Sequence, residues 1–446
     1  MKKHLRLNQR EALLYCIKTK HPALFMEMRL GKTLVTIRRV KQYITCPMRL
    51  VFCPYEAMMG WEEELESENE KYELLIGSGN QRKEALKSIH YNQQKWYITN
   101  HQAHLSIGNE LIEIPWDVII LDESSCIRHP QTKITKFFTE NFREVSHRYA
   151  LSGLPAPESE SDYFCQLKFL NHEIWNEDNY WEFENNHFGW IGYEKLVSPE
   201  GSRYIARKLA KNCIFQSRDD YNLGGIIVNE RRYVTLPRKV MRKYNIVERE
   251  LILRHAGVEE QTVYQTTKRI WLRRLCGGFA GEDLISSTKA KEVKYLVNTE
   301  LKKEQIILCA FFRKEVDFLY QYFRHTIPTG ILHGGISQMK RRKEVKKFKK
   351  RMTRVLIIQP DCLRFGANLS FCDTIIMYSL PEKYETYQQV IARLIDVGSD
   401  KASLVLHLIS TGTLEESMVE SLIRKEGRSM RMKREAQRLS NKYRKK

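Results

Sequence analysis

The run Ala23-Leu24-Phe25-Met26-Glu27-Met28-Arg29-Leu30-Gly31-Lys32-Thr33-Leu34-Val35 constrains this chain more than any other stretch. An apolar segment enters Gly-Lys-Thr, and Leu34, Ile37 and Val40 follow at helical spacing. That strand–loop–helix order is what a phosphate-binding loop requires. Backbone amides at the start of a helix cradle phosphate. Lys32 would reach the β- and γ-phosphates, and the Thr33 hydroxyl would ligate Mg2+. The full pattern asks for a glycine where Met26 stands, so the tripeptide alone leaves nucleotide binding and coincidence evenly matched.

A second strand end tips the balance. Trp116-Asp117-Val118-Ile119-Ile120-Leu121-Asp122-Glu123 reads as a buried parallel strand closing in two carboxylates. Carboxylates at the C-terminal edge of a parallel sheet face the ligand crevice. Asp122 is placed to hold Mg2+ through water, and Glu123 to orient and deprotonate an attacking water. That strand end alone is more ordinarily a polar loop. The two together point to nucleoside-triphosphate hydrolysis.

A chain of 446 residues is too long for one ordinary core and predicts two or three domains. Its net charge of +20 favours a polyanionic partner, most simply nucleic acid, over a merely basic soluble protein. None of the ten cysteines falls in a Cys-x-x-Cys pair, which argues against a zinc ribbon or disulfide scaffold and for reduced thiols in a cytoplasmic setting. Met1-Lys2-Lys3-His4-Leu5-Arg6 has no apolar core of signal-peptide length. No run approaches the ~20 apolar residues of a membrane span.

Strand-like runs alternate with helical ones along the chain, which predicts doubly wound parallel sheets. Gln9 precedes the phosphate loop, and its amide can both donate to and accept from an adenine edge. Cys53-Pro54 with Trp61, Thr99-Asn100-His101, Asp122-Glu123-Ser124-Ser125 and Ser152-Gly153-Leu154-Pro155 follow in order. This series resembles the first lobe of superfamily-two helicases, most closely the Snf-type (Swi/Snf-like) branch. Ser287-Thr288-Lys289, His333-Gly334-Gly335, Arg364-Phe365-Gly366-Ala367-Asn368 and Gln388 to Gly398 continue the resemblance through a second lobe.

The resemblance implies an α/β fold of two RecA-like lobes with helical insertions between them. The implied divisions are residues 1–158 for lobe one, 159–235 for a helical protrusion and linker, 236–280 for a helical insertion, 281–423 for lobe two and 424–446 for a basic C-terminal tail. Arg231 to Pro237 is expected as an extended linker strand, and helices near 247–256 and 262–275. The tail, with Ala436 and Leu439 at helical spacing, reads as a basic helix or phosphate-tracking arm, or else as a frayed terminus.

By the same resemblance ATP and Mg2+ are the cofactors. Gln9, Arg29, Leu30, Gly31, Lys32, Thr33 and Gly366 would bind nucleotide, Thr33 and Asp122 the metal, and Glu123, Asp122, Lys32 and Arg393 would carry catalysis. Thr99, Asn100, His101, Arg128, His333, Gly334 and Asn368 would meet a nucleic-acid backbone, largely independently of sequence. Duplex or branched DNA is the expected partner of a monomeric, non-membrane translocase or helicase in replication, recombination or repair. The compact size fits a phage or mobile-element factor by analogy.

The chain departs from the family pattern at four positions. Arg29 stands where a glycine is usual, Leu363 and Arg364 where a glycine pair is usual, and Asp396 where a second arginine is usual. Asp396 would repel a γ-phosphate, which opens the alternative of a nucleotide-gated DNA-binding protein with weak or no turnover. An RNA-acting relative is a third reading.

Overall fold

The computed structural model describes residues 4–43, 45, 48–89, 94–191, 194–223, 227–250, 252–255, 258–261, 264–360, 369, 371–394 and 402–444. The chain divides into two compact units, Met1–Leu223 with Lys425–Lys446, and Gly224–Arg424.

In the first unit the strands are β1 (Ala23–Met26), β2 (Met48–Cys53), β3 (Tyr72–Leu74), β4 (Lys95–Asn100), β5 (Val118–Asp122), β6 (His147–Ser152), a hairpin of β7 (Phe188–Ile191) and β8 (Glu194–Val197), and β9 (Cys213–Gln216). Seven of them form one sheet in the order β3-β4-β2-β5-β6-β1-β9. Every pair in it is parallel. Parallel strands carry helices on both faces, so their side chains are apolar on both. Alternation along β1 shows this. Leu24 and Met26 join Val35, Ile37 and Val40 of the helix Lys32–Tyr43 and Trp61 of the helix Met58–Ser67. Ala23 and Phe25 face the opposite core, with Phe137, Phe138, Leu167 and Leu170 from the helices Lys133–Asn141 and Tyr163–Leu170.

Register decides what this sheet presents at its C-terminal edge. Phe25 pairs with Ser152, Asp122 with Leu151, and Met26 with Gln216. The ends of β1, β5, β6 and β9 therefore lie side by side, and the loops after them share one rim.

The second unit contains β10 (Ile227–Val234), the hairpins β11 (Ile252–His255)/β12 (Val258–Gln261) and β13 (Phe279–Ala280)/β14 (Asp283–Leu284), then β15 (Ile306–Cys309), β16 (Thr329–Leu332), β17 (Val355–Ile358), β18 (Thr374–Met377) and β19 (Ser403–Ser410). Six strands make a second all-parallel sheet, β10-β19-β18-β15-β17-β16. Its helical annex, Arg238–Glu250 and Gln265–Cys276, buries Tyr244, Val247, Leu272 and Leu275 together. The molecule is thus α/β, with two parallel-sheet lobes and helices between them in sequence.

The extended linker strand read at Arg231 to Pro237 lies largely within β10, an edge strand paired to β19 along its whole length. Two segments differ from the sequence reading. Part of the helix expected at 247–256 is the β11/β12 hairpin, consistent with the low helix propensity of Gly257. The basic tail is not a separate arm. It is the end of the helix Leu414–Arg444, and Met432 and Ala436 are buried in the first unit's core.

The second unit buries an ion pair between Lys289 and Glu415. Lys289 Nζ lies 2.7 Å from both carboxylate oxygens of Glu415 and donates to Tyr378 O at 3.0 Å. Glu415 Oε2 also accepts from Ser410 N at 2.8 Å. The two side chains are 1% and 2% exposed, so removing one partner strands the other's charge. Lys289→Met is expected to lower the stability of this unit by about 3–5 kcal/mol in urea titrations. Lys289→Met with Glu415→Met should cost clearly less than the single change.

Candidate nucleotide site

The phosphate loop runs from the end of β1 into the helix Lys32–Tyr43 and is held from below by the chain that precedes it. Asn8 Nδ2 and Gln9 Nε2 donate to Leu30 O at 3.0 and 3.4 Å, and Arg6 Nη2 donates to Arg29 O at 3.2 Å. Gln9 Oε1 accepts from Arg6 N at 2.9 Å. The Gln9 amide rests on Gly31, where an added Cβ would lie 2.1 Å from Nε2. Gly31 also takes φ +89°, a conformation L side chains avoid. Arg29 adopts φ 68° without being glycine, so this chain carries a left-handed side chain where the family pattern has none. On the far side Arg218 binds the loop, its backbone N and Nε donating to Glu27 Oε2 at 3.2 and 3.1 Å.

Lys32 is buried, and its Nζ donates to Met26 O at 2.9 Å. The Ser152-Gly153 turn after β6 closes over it. A Cβ on Gly153 would lie 2.9 Å from Met28 Cγ and 3.5 Å from Lys32 Nζ, so only glycine lets the turn come this near.

Asp122 ends β5, with Oδ2 accepting from Trp61 Nε1 at 2.8 Å and Oδ1 from Glu123 N at 3.0 Å. Burial raises its carboxyl above the usual range, while the Lys32 charge and the Trp61 bond oppose that rise. Glu123 sits at φ 50°, a left-handed position of the kind concentrated at functional sites. Ser152 Oγ lies 3.4 Å from Glu123 Oε2 and accepts from Leu154 N at 3.1 Å, tying the acid to the Ser-Gly turn.

A hydroxyl at Thr33 and the Asp122 carboxylate are hard oxygen donors of the type Mg2+ takes, and Mg2+ is ordinarily held by one or two carboxylates plus substrate phosphates. Among the described residues no cluster of three or more His, Cys, Asp or Glu makes a metal cage. The donor set therefore fits a phosphate-borne Mg2+.

The remaining expected residues fall in several places. Thr99 and Asn100 are buried at the end of β4, Thr99 Oγ1 donating to Leu75 O at 3.0 Å and Asn100 Oδ1 accepting from Arg82 Nη1 at 3.2 Å. His101 Nε2 lies 2.9 Å from Asp122 O and so carries the proton there; burial lowers this imidazole to about 4, leaving it neutral. These three side chains brace the rim from within. Arg128 lies on the loop after Glu123, its Nη1 donating to Ser125 O at 3.3 Å. In the second unit His333 is buried, with Nδ1 accepting from Gly335 N at 3.0 Å, and Gly334 faces open space beside Arg341 and the basic helix Gln338–Lys349. Arg393 belongs to the helix Tyr384–Leu394. Gly366 and Asn368 lie outside the described residues, as do Leu363, Arg364 and Asp396.

Sequence reasoning gave no role to Trp61, Asn8, Ser152 or Arg218, because each acts through a partner remote in sequence. The ordered tryptophan after Cys53-Pro54 and the serine before Gly153 were the available signals.

The Gly-Lys-Thr loop, the Asp-Glu pair and the Ser-Gly turn thus share one rim of a parallel sheet, and a second parallel-sheet lobe follows in the chain. Comparison with known families is specific. The SNF2-related domain matches residues 9–255 and the helicase conserved C-terminal domain residues 288–398, and the chain belongs to the SNF2-related family. It is 23% identical over 459 aligned residues to the probable ATP-dependent DNA helicase CHR23 of Arabidopsis thaliana, covering 90% of this chain and 40% of that protein. It is 21% identical to the putative ATP-dependent helicase/translocase YwqA of Bacillus subtilis, covering 83% and 41%. The ISWI chromatin-remodeling complex ATPase ISW2 of Saccharomyces cerevisiae shares 22% identity over 90% of this chain and 38% of its own length. The chain thus spans about two fifths of the length of these relatives. The Sulfolobus solfataricus SWI2/SNF2 ATPase core in complex with dsDNA aligns with a TM-score of 0.46 and 19% identity, over 99% of this chain and 97% of that one.

The loop's two unusual torsions make opposite predictions. Gly31→Ala forces a side chain into a left-handed position and onto Gln9, and should cost about 1–3 kcal/mol in urea titrations and loosen the loop. Arg29→Gly removes a left-handed side chain and should be neutral or stabilising by up to about 1 kcal/mol. A larger loss in Arg29→Gly would show that the Arg29 side chain itself holds the loop.

Proposed function

We propose that this chain is a DNA-dependent ATPase that translocates along duplex or branched DNA. The observation that carries the reading is the convergence of Lys32, Asp122, Glu123 and the Ser152-Gly153 turn on one rim of the first sheet. Family membership and the +20 charge support it.

In this reading the amides of residues 29–33 and the Lys32 ammonium bind the β- and γ-phosphates. Lys32 must leave Met26 O to do so, exchanging a neutral acceptor for a charged one. Thr33 and Asp122 would hold Mg2+, which when bound neutralises phosphate charge during in-line displacement. Trp61 fixes Asp122 so that one rotamer serves the site. Glu123 orients water and takes its proton, and Ser152 reports to the Gly153 turn whether Glu123 is engaged. Gln9 acts first as a support for the loop and then as a reader of adenine through what remains of its amide valence.

On the DNA side, Arg128 beside the acid pair and open Gly334 amid Arg341 and the basic helix Gln338–Lys349 suit sequence-independent phosphate contacts. The process served is replication, recombination or repair, in the cytoplasm. No described helix is long and apolar enough to cross a membrane. Asp396 in the motif that usually supplies a second arginine favours one other reading, a nucleotide-gated DNA binder with background turnover.

Steady-state ATP hydrolysis with no nucleic acid, single-stranded, duplex and branched DNA, and RNA separates these readings. One DNA form is expected to stimulate turnover. Lys32→Ala should lower it roughly 10²–10³-fold. Glu123→Gln should lower it roughly 10²–10⁴-fold while nucleotide binding persists. ATP-dependent DNA binding with wild-type turnover no greater than that of Lys32→Ala would replace the motor by the switch.

A further inference from the structure

The end of the helix Leu414–Arg444 belongs to the first unit and runs from the loop after β6 to the end of β9, the two strands that flank β1. Met432 and Ala436 are buried in the core cluster that includes Phe25 and Phe215, with Leu439 packed against it. Gln437 Nε2 donates to Phe215 O at 3.1 Å and to Asp220 Oδ2 at 2.8 Å. Lys425 Nζ donates to Glu158 Oε2 at 2.6 Å. These bonds fix the helix against the end of β9, the strand next to β1. Residues four apart share a helix face, so Lys433 stands one turn before Gln437 on that side.

Lys433 faces the loop's own charges. Its ammonium interacts with Glu27 and Lys32 of the loop and with Arg218 and Asp220 beyond β9, and burial together with the two cations holds it below the usual lysine range. No hydrogen bond or ion pair joins Lys433 to another described residue, although two carboxylates are near. Arg218 spends its Nε on Glu27, while its Nη1 is buried without an acceptor. Three cations, Lys32, Arg218 and Lys433, therefore gather about one loop with donor capacity unspent. A polyanionic phosphate chain is the chemistry that would use it.

We propose that the C-terminal helix is a wall of the first unit's phosphate site and that Lys433 supplies a cation in cis to the nucleotide's terminal phosphate. The proposal rests on the nucleotide reading above. It gives a sequence-remote lysine part of the charge that the family pattern places where this chain has Asp396. Arg218 steadies the wall through Glu27, and Gln437 sets its height.

Equilibrium binding of fluorescent ATP and ADP analogues to the full chain with Mg2+ tests it, in wild type, Lys32→Ala, Lys433→Met, Lys433→Gln and Lys433→Arg. Lys433→Met and Lys433→Gln are expected to weaken ATP binding roughly tenfold, the worth of one hydrogen bond to a charged group, and to weaken ADP binding several-fold less. Lys433→Arg should recover most of the loss. Matching melting transitions for the Met and Gln variants would show that the fold is kept. Wild type that binds ATP in a Lys32-dependent way, with Lys433→Met and Lys433→Gln binding equally well or more tightly, would overturn the assignment. Wild type that binds neither nucleotide would overturn the nucleotide reading, and this assignment with it.

Discussion

The rest of the first lobe depends on the placement of β1 between β6 and β9 in a parallel sheet. That placement is a matter of register and burial. Leu24 and Met26 fill one core, Ala23 and Phe25 the other, and a slip of one residue would exchange the two sets. Once β1 is fixed, the loop after Met26 must emerge beside Asp122 and Ser152. The chemistry of the rim follows from the packing of strands whose interiors are apolar and whose last residues, Asp122 and Ser152, are polar.

Support for the loop comes from several directions, and each is polar. Asn8 and Gln9 hold Leu30 O, Arg6 holds Arg29 O, and Arg218 holds Glu27. Such bonds are individually modest, about 1 kcal/mol net, yet they can be exchanged without unfolding the sheet. A loop that must accept and release phosphate benefits from that division. Its ends are clamped by apolar packing, and its middle is held by bonds a ligand can replace. Left-handed torsions at Arg29, Gly31 and Glu123 lie on this same rim.

Much of this was legible in the sequence, for a physical reason. Buried parallel strands read as continuous apolar runs, and the residues that end them are polar because they leave the core. The Gly-Lys-Thr loop, the Asp-Glu pair and the Ser-Gly turn each announced themselves in that way, and so did the α/β architecture. What stayed hidden depends on contacts between remote segments. Gln9 reads as a base reader, yet its amide is spent first on Leu30 O and on filling the space above Gly31. Thr99 and Asn100 read as nucleic-acid contacts at a strand end, but both are buried and bonded inward. The last residues read as a basic helix or arm because Lys and Arg dominate them, while Met432 and Ala436 fill the core of a unit that begins four hundred residues earlier.

The central claim is that the shared rim of β1, β5 and β6 is where a nucleoside triphosphate sits. Hydrogen–deuterium exchange of the full chain with and without Mg·ATP tests it most directly. The account predicts new protection concentrated in residues 6–9, 27–33 and 122–124 and in the Ser152-Gly153 turn, with the interior of the second sheet unchanged. Saturating Mg·ATP that leaves the exchange of 27–33 unaltered, or protects only segments away from this rim, would contradict it.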